Sequence, residues 1–264
     1  MGNMLRALLL IALAWPAAAQ SATADREQAA RDVVTNAAQA LLERHPAAFL
    51  EALDKPLAEK LRKPVDALLR SFDVQPVVEF VSATTDDRGV ALAVDWKMDI
   101  AAREGLRSVT HRRRRITCRI ESRDGAPKIV TLDGVLNAPG LFSPPDIDGA
   151  WDLIESAARL LSQQDAPVAG FLSAFDSKSP GYESLRDGAE SLAGRGEVDS
   201  TVALTTDDGT DTARSLEVDW TLEVVNPDTG IRVLQRESPL TAKMERRGKR
   251  WVIVSIAPLE FFTK

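Results

Sequence analysis

The chain has 264 residues, 44% of them hydrophobic and 27% charged, with 33 basic side chains against 39 acidic ones and a net charge of −6. These proportions exclude a disordered tail protein and a multi-span membrane protein, and the acidic balance excludes wholesale attraction to nucleic acid. One cysteine rules out an internal disulfide framework, and two histidines argue against a His-rich metal site, so neither a metal nor a cofactor is expected.

The first 19 residues read as an address. Arg6 precedes the apolar run Ala7–Trp15, and Pro16-Ala-Ala-Ala19 closes it. That is the pattern of a secretory signal peptide cleaved near Ala19–Gln20, too short to span a bilayer of about 30 Å as a helix. The expected product is secreted or periplasmic, with no membrane anchor after cleavage. A lone Cys118 suits an oxidising compartment if it is buried.

Beyond the leader, apolar spacing predicts a helix over Ala29–Arg44, a short helix opened by Pro46 that buries Phe49, Leu50 and Leu53, and a third helix after Pro64 that buries Val65, Leu68, Leu69 and Phe72. The period then drops to two. Strands are expected at Val77–Thr84, Val90–Ile100, about Leu106–Ser122 and Lys128–Leu136, the last after an Asp124-Gly125 turn. Val90, Leu92, Val94, Trp96, Met98 and Ile100 share one face. The pair Pro144-Pro145 marks a stiff junction. The same order follows: helices at Trp151–Ser162, Val168–Phe175 and Tyr182–Ala193, then strands at Val198–Leu204, Arg214–Val225, Ile231–Arg246 and Trp251–Leu259.

The second half is a copy of the first. Val94-Asp95-Trp96 recurs as Val218-Asp219-Trp220, and residues 94–132 match 218–256 at ten of 39 positions, Arg112 with Arg236 among them. Unrelated segments match at about 6%. Phe49-Leu50-x-Ala52-x-Asp54 recurs as Phe171-Leu172-x-Ala174-x-Asp176, and Thr84-Thr-Asp-Asp87 as Thr205-Thr-Asp-Asp208. Two α+β domains of about 120 residues are expected, over 22–142 and 147–264, each with helices on one face of an antiparallel sheet.

This order resembles the nuclear-transport-factor-2-like (SnoaL-like) superfamily of cone-shaped α+β domains in the cystatin-like class. The resemblance is carried by the amphipathic opening helix, by Pro46-Ala-Ala-Phe-Leu, and by the terminal hairpin Ile116-Thr-Cys-Arg-Ile-Glu-Ser-Arg-Asp-Gly-x-x-Lys-Ile-Val. It covers nearly the whole chain after the leader. It implies a bent sheet wrapped into a cone, a pocket between sheet and helices, and, in the superfamily's enzymes, an Asp, His or Tyr facing that pocket. In this chain the pocket-facing candidates are apolar: Phe49, Phe72, Trp96 and Met98 in the first cone, and Phe171, Phe175, Trp220 and Leu222 in the second.

Candidate chemistry is sparse. Asp95, Asp99, Asp219 and Glu223 alternate onto the solvent side of their strands. His45 precedes Pro46 at a helix–helix turn, and the second copy has no histidine. His111-Arg112-Arg113-Arg114-Arg115 is either an anion patch or a set of cross-strand partners for Asp95 and Asp99. Pairing is favoured because the partition of acids and bases recurs in the second copy, where Glu217, Asp219 and Glu223 lie beside Arg232 and Arg236, while the arginine run does not. Cys118 alternates with Ile116 and Ile120 as a small core residue. Asp207–Asp211 reads as a hairpin turn, since it lacks the spacing and closing Glu of a calcium loop. The expectation is a non-enzymatic module binding an apolar small molecule or a protein, with a homodimer through the sheet faces as one form. The alternative is a SnoaL-like isomerase, cyclase or hydrolase acting on a small hydrophobic substrate in one cone.

Overall fold

The computed structural model describes residues 5–135, 140–163 and 167–263, with side chains from residue 22 onward. The leader expected over residues 1–19 therefore lies outside the described side chains. Helices α1 (Leu5–Leu42), α2 (Pro46–Glu51) and α3 (Lys55–Ser71) precede strands β1 (Phe72–Thr85), β2 (Gly89–Ala102), β3 (Arg107–Arg123) and β4 (Ala126–Asp133). Then α4 (Asp148–Leu161), α5 (Pro167–Leu172) and α6 (Tyr182–Arg195) precede β5 (Glu197–Gly209), β6 (Ala213–Val225), β7 (Arg232–Arg247) and β8 (Arg250–Ala257), and α7 (Glu260–Thr263) follows. Among the described residues no helix is long and apolar enough to cross a membrane.

The chain divides into two compact units, Met1–Asp99 with Arg112–Pro144, and Ile100–His111 with Pro145–Lys264. In the first unit α1 buries Ala30, Val34, Ala37, Ala38 and Leu41 along one stripe. In the second, α4 buries Ala150, Ile154, Ala157, Ala158 and Leu161, the same pattern 120 residues on. Each buried Leu, Val or Ile on these stripes contributes about 1.5–3 kcal/mol relative to exposure. The third helix starts earlier than expected and runs through Pro64. Asp54 caps it by accepting from the Leu57 N–H at 3.1 Å, and Leu57, Leu61, Val65 and Leu68 form one buried line. That line outweighs the hydrogen bond that proline removes.

The Phe-Leu-x-Ala-x-Asp motif has the same use in both units. The Asp54 N–H donates to the Ile129 carbonyl and the Ile129 N–H to the Ala52 carbonyl, each at 2.9 Å; Asp176, Ile253 and Ala174 repeat this at the same distances. The motif stitches the end of the second helix to β4 or β8 and places Phe49 or Phe171 in the core.

The Thr-Thr-Asp-Asp match is out of structural register. Asp86 accepts from the Arg88 and Gly89 N–H groups in the β1–β2 turn; its structural equivalent, accepting from Thr212 and Ala213, is Thr210. The strands therefore superpose at a constant offset of 124, which equates Asp207 with Ala83, Arg214 with Val90 and Ser200 with Pro76.

In the second unit β5 pairs antiparallel with β6, β6 with β7 and β7 with β8. The other edge of β5 takes a parallel strand, Arg107–Thr110, against Thr206–Gly209. Only the turn Thr210–Thr212 lies in a loop; Asp207, expected in a hairpin, is a strand residue with a fully buried side chain. Arg214 Nε donates to its Oδ1. Trp151 Nε1 and Ser108 Oγ donate to its Oδ2 at 2.7 and 3.2 Å. Arg214 also donates to Thr110 Oγ1 and Ser108 Oγ, both at 2.9 Å, and to the Val109 and Thr210 carbonyls. Both charges are thus paired and their remaining polar capacity is met, the condition under which a buried ion pair is tolerated. Replacing Asp207 by Ala strands the Arg214 cation; the expected loss is about 3–5 kcal/mol by chemical denaturation, and much less in an Asp207→Ala/Arg214→Leu double variant.

Candidate functional site

The eight candidate pocket residues, Phe49, Phe72, Trp96, Met98, Phe171, Phe175, Trp220 and Leu222, are all at most 7% exposed. The grooves described in the two units, of 690, 500 and 320 Å³, are lined by other residues. What fills the first cone is Phe142, from the segment after β4. Its ring meets Phe49 edge-on at 5.1 Å and Trp96 at 5.5 Å. Phe262 of α7 takes that place in the second, edge-on to Trp220 at 5.2 Å and tilted against Phe171 at 5.5 Å. Edge-to-face packing of this kind adds about 0.5–1.5 kcal/mol per pair beyond area burial.

Each plug is held by one arginine. Along β3 the buried positions are the even ones, so Arg112 and Arg114 face inward while Arg113 and Arg115 face outward. Arg112 Nη1 donates to the Leu141 carbonyl at 3.1 Å, to Gly140 at 3.2 Å, and to Ser143. Arg114 Nη1 donates to the Gly134 carbonyl at 2.8 Å. Arg236, the counterpart of Arg112, donates to the Phe261 carbonyl. Its predicted place beside the acids of β6 is thus corrected: it turns inward to a carbonyl, and burial, with Arg195 nearby, lowers its pKa from the ordinary value. Arg232 does reach Glu223, at 3.3 Å.

The outward arginines clamp Asp95. Arg115 makes a bidentate contact at 2.8 Å through Nε and Nη2, and Arg113 approaches to 3.4 Å. The Asp95 side chain is only 10% exposed, so the solvated carboxylate expected there is instead covered by its partners; Asp219 and Asp99 are exposed. His111 faces Asp208 at 3.2 Å, on the second unit. The run 111–115 is therefore divided by strand alternation among three tasks rather than gathered on one face. His45 is 67% exposed and caps nothing.

Two aspects escaped sequence reasoning. The plugs Phe142 and Phe262 lie beyond the last strand of each copy, where periodicity ends; the 120-residue spacing of Leu141-Phe142 and Phe261-Phe262 was the available signal. The polar capacity of the two core indoles also differs. Trp220 Nε1 donates to Ser200 Oγ at 2.9 Å, while Trp96 Nε1 has no acceptor among the described residues, because Pro76 stands where Ser200 does.

Electrostatics follows the pairings. Arg115 holds the Asp95 carboxyl at about 2, and Arg119 with the Arg88 and Gly89 N–H groups holds Asp86 at about 2. Burial and the Asp133 charge push the Cys118 thiol up to about 12, so it stays neutral and unreactive. Among the described residues no group of three or more His, Cys, Asp or Glu could hold a metal ion.

No family model matches the chain, and no curated protein matches it. Similar solved structures include a Nostoc punctiforme protein of unknown function with a cystatin-like fold (16% identity, 41% of this chain and 85% of that one, TM-score 0.32). Another is an NTF2-like protein involved in plasmid conjugation (7% identity, 81% of this chain and 86% of that one, TM-score 0.25). A third is Bd1075 of Bdellovibrio bacteriovorus (9% identity, 68% of this chain and 74% of that one, TM-score 0.32). The fold is α+β: in each unit helices precede antiparallel strands, the element order expected from the sequence.

Two outcomes are expected. Phe142→Ala and Phe262→Ala each lose about 3–5 kcal/mol of stability by denaturant titration. The depressed carboxyls Asp86 and Asp95 contribute stability that is fully present above about pH 4 and disappears as pH falls toward 2, so the stability gap between wild type and Asp95→Asn closes across that window.

Proposed function

We propose that the chain is a secreted or periplasmic, non-enzymatic interaction module that works through protein contacts outside its cones. The observation that carries this reading is the occupancy of both cone centres by the chain's own aromatics, Phe142 and Phe262. A ligand in either cone has to displace a ring held by edge-on neighbours and by an arginine staple. The enzymatic alternative needs a polar group in an apolar hollow. The buried carboxylates described, Asp95 and Asp207, are instead each held by arginine. The leader-like residues 1–19 support export.

Native mass spectrometry of the protein purified from its own host tests the reading. The bare polypeptide mass is expected, and an apolar fluorescent probe should bind Phe142→Ala or Phe262→Ala but not wild type. A small molecule retained by the wild-type chain overturns it.

A further inference from the structure

Among the described residues, the buried side-chain polar atoms without a hydrogen-bond partner are the indole nitrogens of Trp96 and Trp251. Trp96 lies in the first cone against Phe142. Trp251 differs, because it lines a groove of 500 Å³ in the second unit, between α4 and the start of β8. The residue is only 7% exposed. A buried donor without an acceptor is costly, and at a groove the acceptor can come from outside.

Gly149 shows where that acceptor would sit. A Cβ there would lie 3.3 Å from Trp251 Cδ1, 3.5 Å from Nε1 and 3.9 Å from Asp146 Oδ1. Glycine is a poor helix residue, and here its missing side chain leaves the pyrrole edge of the indole facing the groove. Asp146 stands beside the same space. Its Oδ2 takes Arg246 Nη2 at 2.9 Å, and its Oδ1 has no donor among the described residues. The Arg246 guanidinium also lies 5.9 Å from the centre of the Trp251 ring, so one cation steadies both walls. The space thus lies between an N–H that needs an acceptor and a carboxylate oxygen that can take a donor. A bare anion suits the first and is repelled by the second. An amide serves both, with its C=O on Nε1 and its N–H on Oδ1.

The main chain of β8 makes the same selection. The Ile253 N–H donates to the Ala174 carbonyl, and the Ile253 carbonyl accepts from the Asp176 N–H, both on the side away from β7. Backbone groups alternate along an antiparallel strand, so the N–H and C=O of Trp251 point the same way. Ser173, next to Ala174, lines the groove there. The groove's remaining charges are Lys249 and Arg250 at the hairpin end and Asp152 on α4, all exposed and without an ion pair among the described residues. In the first unit Pro127 stands where Trp251 does, which removes the indole and the backbone N–H together. Ala29 stands for Gly149, Gly125 for Lys249 and Ala126 for Arg250. The polar equipment therefore belongs to the second unit.

We propose that this groove binds a peptide segment of another protein: one amide bridges Trp251 Nε1 and Asp146 Oδ1, and a neighbouring carboxylate meets Lys249 and Arg250. This rests on the reading of the chain as a protein-contact module and gives the chemistry of what it contacts. The carboxylate is a C-terminus or an acidic side chain, and the test separates the two.

The readout is the indole N–H signal of Trp251 in a proton–nitrogen correlation spectrum of the isotope-labelled full chain, assigned by its loss in Trp251→Phe. The probes are N-acetyl-Gly-Gly-Gly with a free C-terminus and N-acetyl-Gly-Glu-Gly-amide, whose carboxylate is on the side chain. At least one should move the Trp251 signal and leave that of Trp96 in place; the tighter binder identifies the source of the carboxylate. N-acetyl-Gly-Gly-Gly-amide and acetate each carry half of the chemistry and should bind at least about tenfold more weakly. Lys249→Glu/Arg250→Glu should cost the same factor. Gly149→Ala, which favours a helix by propensity, should also weaken binding about tenfold without lowering the circular-dichroism melting curve. The proposal is overturned if neither peptide moves the Trp251 signal, if acetate or the uncharged amide moves it as readily, or if the charge-reversed variant binds undiminished. Those results leave the interaction-module reading standing, whereas a small molecule retained by the wild-type chain sinks that reading instead.

Discussion

The arrangement turns on one contact made twice: an inward arginine on the long strand holding a backbone carbonyl of the segment that returns to the cone. Arg112 holds Leu141 and Arg236 holds Phe261, and the next residue in each case is the phenylalanine that fills the centre. A charged donor aimed at a carbonyl is a strong hydrogen bond in a dry setting. It fixes a segment that has neither a sheet ladder nor a long helix to hold it. In the second unit the fit is close enough to reach the helix above, where a Cβ on Gly188 would lie 2.6 Å from the Phe262 carbonyl oxygen.

Duplication explains what the two units share, and divergence explains where they differ. The stitch between the Phe-Leu-x-Ala-x-Asp segment and the last strand is kept atom for atom. The staple and the plug are kept as well. What has diverged lies at strand edges and in the lining of the core: Ser200 against Pro76, Asp207 against Ala83, Arg214 against Val90. A core built of paired aromatics tolerates such changes while its volume is preserved. An edge, by contrast, changes its partner when two or three side chains change character.

Much of this was legible from residue order alone. Alternation put Trp96 and Trp220 inside, and the inward set of β2 is the one expected. The strands fall within a few residues of their predicted ends, apart from β1, which starts at Phe72 because Pro76 is tolerated on an edge strand, and β5, which runs on to Gly209 past its expected end at Leu204. Three things were not legible, each for a physical reason. The role of Arg112 depends on a chain segment that comes back from about thirty residues downstream, and no local period marks such a return. Asp207 has the composition of a turn residue, but its burial is decided by Ser108 and Trp151, both distant in sequence. The Thr-Thr-Asp-Asp identity hides the true register because the same turn role falls to Asp86 in one copy and to Thr210 in the other, a carboxylate and a hydroxyl that accept the same two N–H groups.

The path of β3 has a consequence for synthesis. The chain leaves the first unit at Asp99, contributes Ile100–His111 to the second, and re-enters the first at Arg112. The ribosome therefore delivers Arg107–Thr110 about a hundred residues before Thr206–Gly209 exists to receive it. At ordinary elongation rates the nascent first half waits on the order of ten seconds with that strand unclaimed. A fragment begun after Pro145 inherits the complementary defect, a β5 edge with an Asp207–Arg214 pair and no Ser108 or Thr110 to complete it.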